Sequence, residues 1–553
     1  MRLPRWFKAL WVLPLTVLIA ASAWAEPWKF GVMGDTQWTV SDDGKSPNGV
    51  PVGIITQINQ QFIRAGVKFV VQVGDLVESY SDAALETRSR AAQDLCSAGI
   101  GFYPLRGNHE PTQAAAQSFQ VVFPQTQGNG PCVHGALGFT SPSPNLKGLS
   151  YSFDYNDSRF VLLDQFTRTD GSGSSSTDTN MLDQLTWIDS ALAGKPAHGH
   201  AFVFGHKNLI GENHTDVLFG ANPGQNLAAQ DQFIRSLEAN GVHYYVSGHD
   251  HIHQRSIISS PNRAWNVQEI ITTSASSKFY IPLGSPELPG TTNNDAKYNN
   301  PPREASISQE RNTIGYYIYT IDGPRVTVDY YSAAANPTRV RNGYVITTTP
   351  TLAFTKRERF GYSLNGKEFL IAQGKPYAAV RDKSPFAGTD VKILAGYNRS
   401  AKDSSGRPLN KAVDTGWERG QGGTASDILS LWGMGPSLGT GETDIYTLSM
   451  RYNHGRVSEK GLRRGLFGLV SMNQNGDWVN AVKKNFGSTE RFILGPWRRE
   501  YGLGAYGVDP HTHTAWAVLN YDGDFAVADF HRCFGVNRTD LSLSTLSRAC
   551  QSH

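Results

Sequence analysis

Between Trp28 and Tyr331 one pattern constrains the fold more than any other. Short apolar runs end within two residues of a glycine, and that glycine is followed at once by a carboxylate, amide or imidazole. The corners are Gly34-Asp35-Thr36-Gln37, Gly74-Asp75-Leu76-Val77-Glu78, Gly107-Asn108-His109-Glu110, Gly205-His206 and Gly248-His249-Asp250-His251. The runs before them, Lys29–Met33, Lys68–Val73, Gly101–Leu105, Ala201–Phe204 and Val242–Val246, read as strands. Helical periodicity over Val50–Val67, Asp82–Ala98, Asn180–Leu192 and Ala228–Asn240 separates them. Leu149–Phe153 and Phe160–Leu163 read as half-buried strands, and Tyr316–Ile321 with Val326–Tyr330 as a hairpin turning at Asp322-Gly323. Strands alternating with helices of this length predict an α/β domain with crossover connections. In such sheets polar groups gather where carboxyl ends of strands open into loops, so corners far apart in sequence can meet.

The residue types at those corners suit a pair of metal ions. Two cations about 3.5–4 Å apart need a shared anionic oxygen, further carboxylate or amide oxygens, and imidazoles. A mixed nitrogen and oxygen set fits Mn, Fe, Zn or Ni, and it has too few carboxylates for an all-oxygen calcium cage. Each corner alone is a weak signal. Five of them in fixed order are strong.

The ordered set resembles the calcineurin-like metallophosphoesterase superfamily, whose pattern runs DxH, GDxxx, GNH(D/E), a lone His, then GHxH. The resemblance spans Trp28–Tyr331 and implies a four-layer α/β/β/α sandwich with a dinuclear site between the sheets. It further implies that Asp35 and His251 hold the first metal and that Asp75 bridges. Asn108, His206 and His249 would hold the second metal, and His109 would stabilise or protonate the leaving oxygen. Gln37 stands where the family has a histidine. Its amide carbonyl is a neutral, weaker donor, kept here among the ligands either directly or through water. Glu78 occupies the place of the tyrosine ligand of purple acid phosphatases and cannot supply a phenolate, which sets that subgroup aside. Tyr80 reads as a packing or rim residue, and Asp250, between two ligands, points away from the metals.

The rest of the sequence bounds the setting. The 553 residues exceed what one core needs, so two domains are expected. The net charge of +3 is accounted for by Arg2, Arg5 and Lys8, leaving a neutral body with no electrostatic case for nucleic-acid duplex binding. Those three residues precede an apolar run, and Ala23-Trp24-Ala25 offers a cleavage site. Residues 1–25 therefore read as a signal peptide, and the mature chain as exported, periplasmic or secreted, without a transmembrane segment. In an oxidising compartment the four cysteines are expected to pair as neighbours, Cys96–Cys132 and Cys533–Cys550.

The expected organisation is a metallophosphoesterase domain over 26–335, a linker over 336–354 and a β-rich domain over 355–553. In that last domain Thr443–Arg451, Gly465–Met472 and Thr514–Leu519 read as strands. Its Trp417, Trp432, Trp478, Trp497 and Trp516 read as core aromatics in preference to a sugar or lipid site. His511 and His513 read as a surface pair on a strand. Thr167–Thr179 and Pro282–Arg311 read as long polar loops. The function expected is hydrolysis of phosphomonoesters or phosphodiesters (nucleotides, sugar phosphates or lipid headgroups) by a hydroxide bridging two metals. One alternative is a catalytically weak or inactive extracellular binding protein acting through its C-terminal domain. A third reading, another binuclear metallohydrolase such as an amidase, is disfavoured by the ligand order.

Overall fold

The computed structural model describes residues 26–530, apart from 40–42, 174–180, 367, 372–381, 384–389, 397–401, 421–422, 435–441, 458 and 474–476. The leader, the Cys533–Cys550 pair and most of the Thr167–Thr179 loop lie outside the described residues.

Among the described residues the first sheet has six strands, in the order Thr355–Ser363, Arg325–Ala334, Thr313–Asp322, Trp28–Met33, Phe69–Val73 and Gly101–Leu105. The last three run parallel, and the 313–334 hairpin closes against Trp28–Met33 antiparallel. The second sheet has eight strands, running from Glu304–Glu310 at one edge through His253–Ser259, Asn266–Ile271, Tyr244–Ser247, Ala201–Phe204, Ser158–Leu162 and Tyr151–Tyr155 to Leu137–Thr140.

Strand alternation divides the side chains into layers. Phe69, Val71 and Val73 meet Phe30, Phe160 and Phe202 between the sheets, while Val70 faces Ile54, Ile58 and Phe62 of the helix Val52–Ala65. On the far side Val161, Val203 and Tyr245 pack on Ile188 and Leu192 of Leu185–Ala193 and on Phe233 and Leu237 of Leu227–Ala239. The layers are α/β/β/α, as the resemblance implied. Cys96 and Cys132 form a disulfide that ties the short helix Gln93–Ser97 to the loop beyond the third strand.

Several segments differ from their sequence reading. The Asp82–Ala98 helix is two helices, Asp82–Ala91 and Gln93–Ser97, which meet at Ala92 with no glycine or proline to announce the break. The Pro282–Arg311 stretch is structured. It holds the helix Asn294–Tyr298 and the edge strand Glu304–Glu310, whose Ser306-Ile307-Ser308 centre gives little apolar alternation to read. Within 336–354, Thr338–Val340 and Gly343–Val345 form a small sheet with Lys278–Tyr280. Thr355–Ser363, read as the start of the C-terminal unit, hydrogen-bonds along Arg325–Ala334 and so extends the first sheet.

The C-terminal region stacks two sheets, each of six strands among the described residues. Ile393, Leu429, Leu431, Leu448, Met450, Leu469, Leu519 and Val527 interdigitate between them. Trp417, Trp432, Trp478 and Trp516 are buried, and Trp497 is half-buried against Ala505, Trp516 and Val518. His511 and His513 sit in the turn between Ala505–Asp509 and Thr514–Tyr521, not on a strand.

Candidate metal centre

The carboxyl ends of five strands open on the same edge of the sandwich and bring the glycine corners together. Asp75, His206 and His249 each offer a ligand atom, all within 4.8 Å of one another, and Asp35, Asp75 and His251 do the same. Asp75 belongs to both groups, as a bridging residue must. Two glycines show why the corners need them. A Cβ on Gly107 would lie 1.9 Å from Asp75 Oδ1. A Cβ on Gly74, whose φ is +93°, would lie 2.4 Å from His206 Nδ1. Only a residue without that atom lets the chain pass so close. Asp75, His249 and His251 themselves adopt positive φ. That backbone cost is seen where surrounding structure dictates side-chain direction.

Three imidazoles are pinned by backbone carbonyls. His206 Nδ1 bonds Val73 O at 3.0 Å, His251 Nδ1 bonds Lys278 O at 2.9 Å, and His109 Nδ1 bonds Glu78 O. Donation from Nδ1 leaves Nε2 of each ring facing the site, the outer-shell arrangement that fixes a ligand's tautomer. His206 Nε2 lies 2.7 Å from Asn108 Oδ1 and 3.3 Å from Asp75 Oδ1, while His251 Nε2 lies 3.7 Å from Asp35 Oδ1. His109 Nε2 is 3.9 Å from Asp75 Oδ2, on a partly exposed side chain, so it stands at the mouth. Gln37 lies in the same cluster: its Nε2 donates to Asp75 Oδ2 at 2.9 Å.

The donor set passes a direct test for cations. Asp35 Oδ2, Gln37 Oε1 and His249 Nε2 are buried with no hydrogen-bond partner among the described residues. Buried polar atoms without partners are costly, and three electron-pair donors left open around one bridging carboxylate fit metal ions.

Charge interactions among the side chains agree. Burial pushes Asp35 up to about 7 against the pull of His206. Burial would raise Asp75 too, but His206 and His109 beside it hold its carboxyl well below the usual range. Burial opposes charge on His206, yet Asp75 and Asp35 outweigh it and bring the ring up to about 9. Burial, helped by His214, brings His249 down to about 3, and burial with Lys278 holds His251 well below its ordinary value. A crowd of mutually perturbed groups in one place marks a functional site.

Several neighbours carry little local sequence signal. Asp216 lies 3.5 Å from His249 Nε2 and 2.7 Å from Lys207 Nζ. His214 stacks on His249 at 4.0 Å between ring centroids. Asp250 faces away from the ligand groups, accepting from His214 Nδ1 at 2.8 Å and from the Glu212 and His214 amides. Glu78 pairs with Lys278 at 3.0 Å, and Tyr80 packs at the core margin. A polar run after the lone histidine (Glu212-Asn213-His214-Thr215-Asp216) was the one readable hint.

A family model for calcineurin-like phosphoesterases matches residues 29–253. The chain carries a calcineurin-like phosphoesterase domain. Over those residues the chain matches a metallophosphoesterase family that is binuclear-metal dependent. Among solved structures, the chain is similar to a purple acid phosphatase isolated from yellow lupin (Lupinus luteus) seeds. The identity is 15%, over 58% of this chain and 54% of that one, with a TM-score of 0.36. The chain thus spans about half the length of the lupin enzyme. It is also similar to GAP50, the anchor in the inner membrane complex of Plasmodium (14% identity, 58% and 90% covered, TM-score 0.31). A dimetal phosphatase from Danio rerio is a third (15% identity, 58% and 99% covered, TM-score 0.32). No curated protein matches the chain. Among the described residues no helix is long and apolar enough to cross a membrane.

Proposed function

We propose that the metallophosphoesterase domain is an active, exported hydrolase of phosphomonoesters or phosphodiesters. The observation that carries this reading is the shared position of Asp75 in two ligand groups, with Asp35 Oδ2, Gln37 Oε1 and His249 Nε2 buried around it without hydrogen-bond partners among the described residues. In this reading Asp35, Gln37, Asp75 and His251 hold the first cation, and Asp75, Asn108, His206 and His249 hold the second. The amide of Gln37 is oriented for that part, because its NH2 faces Asp75 and its carbonyl oxygen is left open. When bound, the cations polarise the phosphoryl group and lower the pKa of water for in-line attack.

The chain supplies the rest. His206 and His109 beside Asp75 hold its carboxyl well below the usual carboxylate range. His109, steered by the Glu78 carbonyl, presents Nε2 to the leaving oxygen, where it stabilises or delivers the proton that departing alkoxide needs. The basic, apolar leader supports export. The test is Asp75→Asn in the full chain. Loss of the two bound metals and of turnover on an activated phosphate ester is expected; an Asp75→Asn protein that still hydrolyses the ester refutes the reading.

A further inference from the structure

We propose that Tyr280 is a further catalytic residue, its hydroxyl donating a hydrogen bond to a phosphoryl oxygen of the substrate; this rests on the phosphoesterase reading above. Tyr280 lies beyond residues 29–253 and outside every corner of the ligand pattern. It ends the strand Lys278–Tyr280, which the small sheet with Gly343–Val345 and Thr338–Val340 holds in register.

Alternation along that strand decides where its side chains go. Phe279 turns inward, almost fully buried with Ala275 and Ile346 in the helix-side core. Lys278 and Tyr280 therefore share the opposite face. Lys278 locates that face, because its Nζ pairs with Glu78, whose carbonyl pins His109, and its own backbone carbonyl pins His251 close by. Tyr280 locates it again. Its ring lies 4.8 Å from His251 and 4.7 Å from His214, the latter edge-on at 87°. The phenol is wedged between one proposed ligand and the ring that stacks on another.

The hydroxyl has no hydrogen-bond partner among the described residues, and it feels the charges of Asp75, Asp35, Glu78 and Asp250. A half-buried phenol donor whose ring packs against His251 and His214, beside a site that gathers negative charge during phosphoryl transfer, is placed for electrostatic stabilisation of that charge. Asp250 and Lys278 anchor the walls on either side, so the donor needs little reorganisation to meet a substrate.

Tyr280→Phe keeps the ring between the two histidines and deletes only the hydroxyl. The experiment uses the full chain loaded with Mn and compares metal content, steady-state kinetics on p-nitrophenyl phosphate, and orthovanadate affinity by calorimetry. Removing one such donor is expected to lower kcat roughly 10²-fold. The metals should stay bound, KM should change little, and vanadate should bind at least about tenfold more weakly, since it mimics the transition state. A Phe variant with wild-type kcat and wild-type vanadate affinity overturns the inference while leaving the phosphoesterase reading intact. A wild-type protein that binds two metals but neither turns over nor binds vanadate overturns both.

Discussion

The two halves of this chain are both built from pairs of stacked sheets, yet they treat buried polar atoms in opposite ways. In the α/β/β/α half, parallel strands deliver Asp35, Asp75, Asn108, His206 and His249 to one edge, and electron-pair donors there are left open. In the C-terminal sandwich the buried side-chain atoms without partners, among the described residues, are Trp417 Nε1, Tyr452 Oη and Trp497 Nε1. Those are scattered neutral groups with no carboxylate or imidazole beside them in a ligand group. Stacking sheets makes a core in either case. Convergent strand ends make a site, and only the half with several parallel crossovers has them.

Asp75→Asn should give the largest effect. The bridging carboxylate shared by both ligand groups becomes a neutral amide with a single donor oxygen, so hydrolysis should fall by roughly 10³-fold or more, as expected when positioning and metal activation fail together. Metal analysis and kinetics on the same sample read it. A variant retaining two metals and full turnover would show that the first half is no more specialised than the second.

The next effect lies where the halves meet. Arg407, from the segment of the sandwich that precedes its strand Lys411–Glu418, reaches Glu212 and Asp403 at 2.6 Å each and also pairs with Glu304. All three carboxylate side chains are fully buried. Removing the cation from buried acids costs about 3–5 kcal/mol, and Arg407→Met should destabilise the chain by that order in urea. The Glu212 amide donates to Asp250 between His249 and His251, so metal affinity should weaken in the same variant. Unfolding unchanged by Arg407→Met would mean that the two halves stand independently, and the metallophosphoesterase domain would then be testable alone.

How far the site could be read in advance follows from the range of its signals. Gly74-Asp75, Gly107-Asn108-His109 and Gly248-His249-Asp250-His251 are local: a strand, a tight corner and a ligand fall within a few residues, so type and order alone located them. Glu304–Glu310 and Thr355–Ser363 were harder. The second alternates well, with Glu358, Phe360 and Tyr362 buried, but nothing in the segment says that its partner is Arg325–Ala334 and not a strand of the sandwich. Tyr280 was invisible for the same reason, and His214 and Asp216 were marked by no more than a polar run after His206. Each acts on neighbours distant in the chain, from a loop or a short strand with no period of its own, so only tertiary packing reveals them.

A smaller effect attaches to the Cys96–Cys132 bond, which belongs to the first half and touches no ligand. Cross-links that close loops of this size contribute about 2–4 kcal/mol, chiefly by restricting the unfolded chain. Cys96→Ser should lower stability by that order and leave kcat unaltered per folded molecule. A loss of kcat exceeding the loss of folded protein would show that the Gly107–His109 corner depends on the bond, since the disulfide flanks the strand Gly101–Leu105 that leads to it.

The smallest effect tests the sandwich by its most ligand-like residues. His511 is exposed in a turn, where its amide donates to Asp509 Oδ1 at 3.0 Å, and His513 stacks on His454 at 4.6 Å between centroids. Two imidazoles are thus in contact and a third is two residues away in the chain. Yet no carboxylate joins them in a ligand group among the described residues, and solvent reaches His511 freely. An exposed imidazole bears no desolvation cost that a cation would relieve, whereas the buried donors at Asp35 and His249 do. His511→Ala should therefore change stability by less than about 0.5 kcal/mol, the ordinary range for surface substitutions, and leave the count of bound metals at that of the parent protein. If the substitution removed an ion, proximity of imidazoles without burial or an anionic bridge would suffice for a site, and the distinction drawn between the two halves would fail.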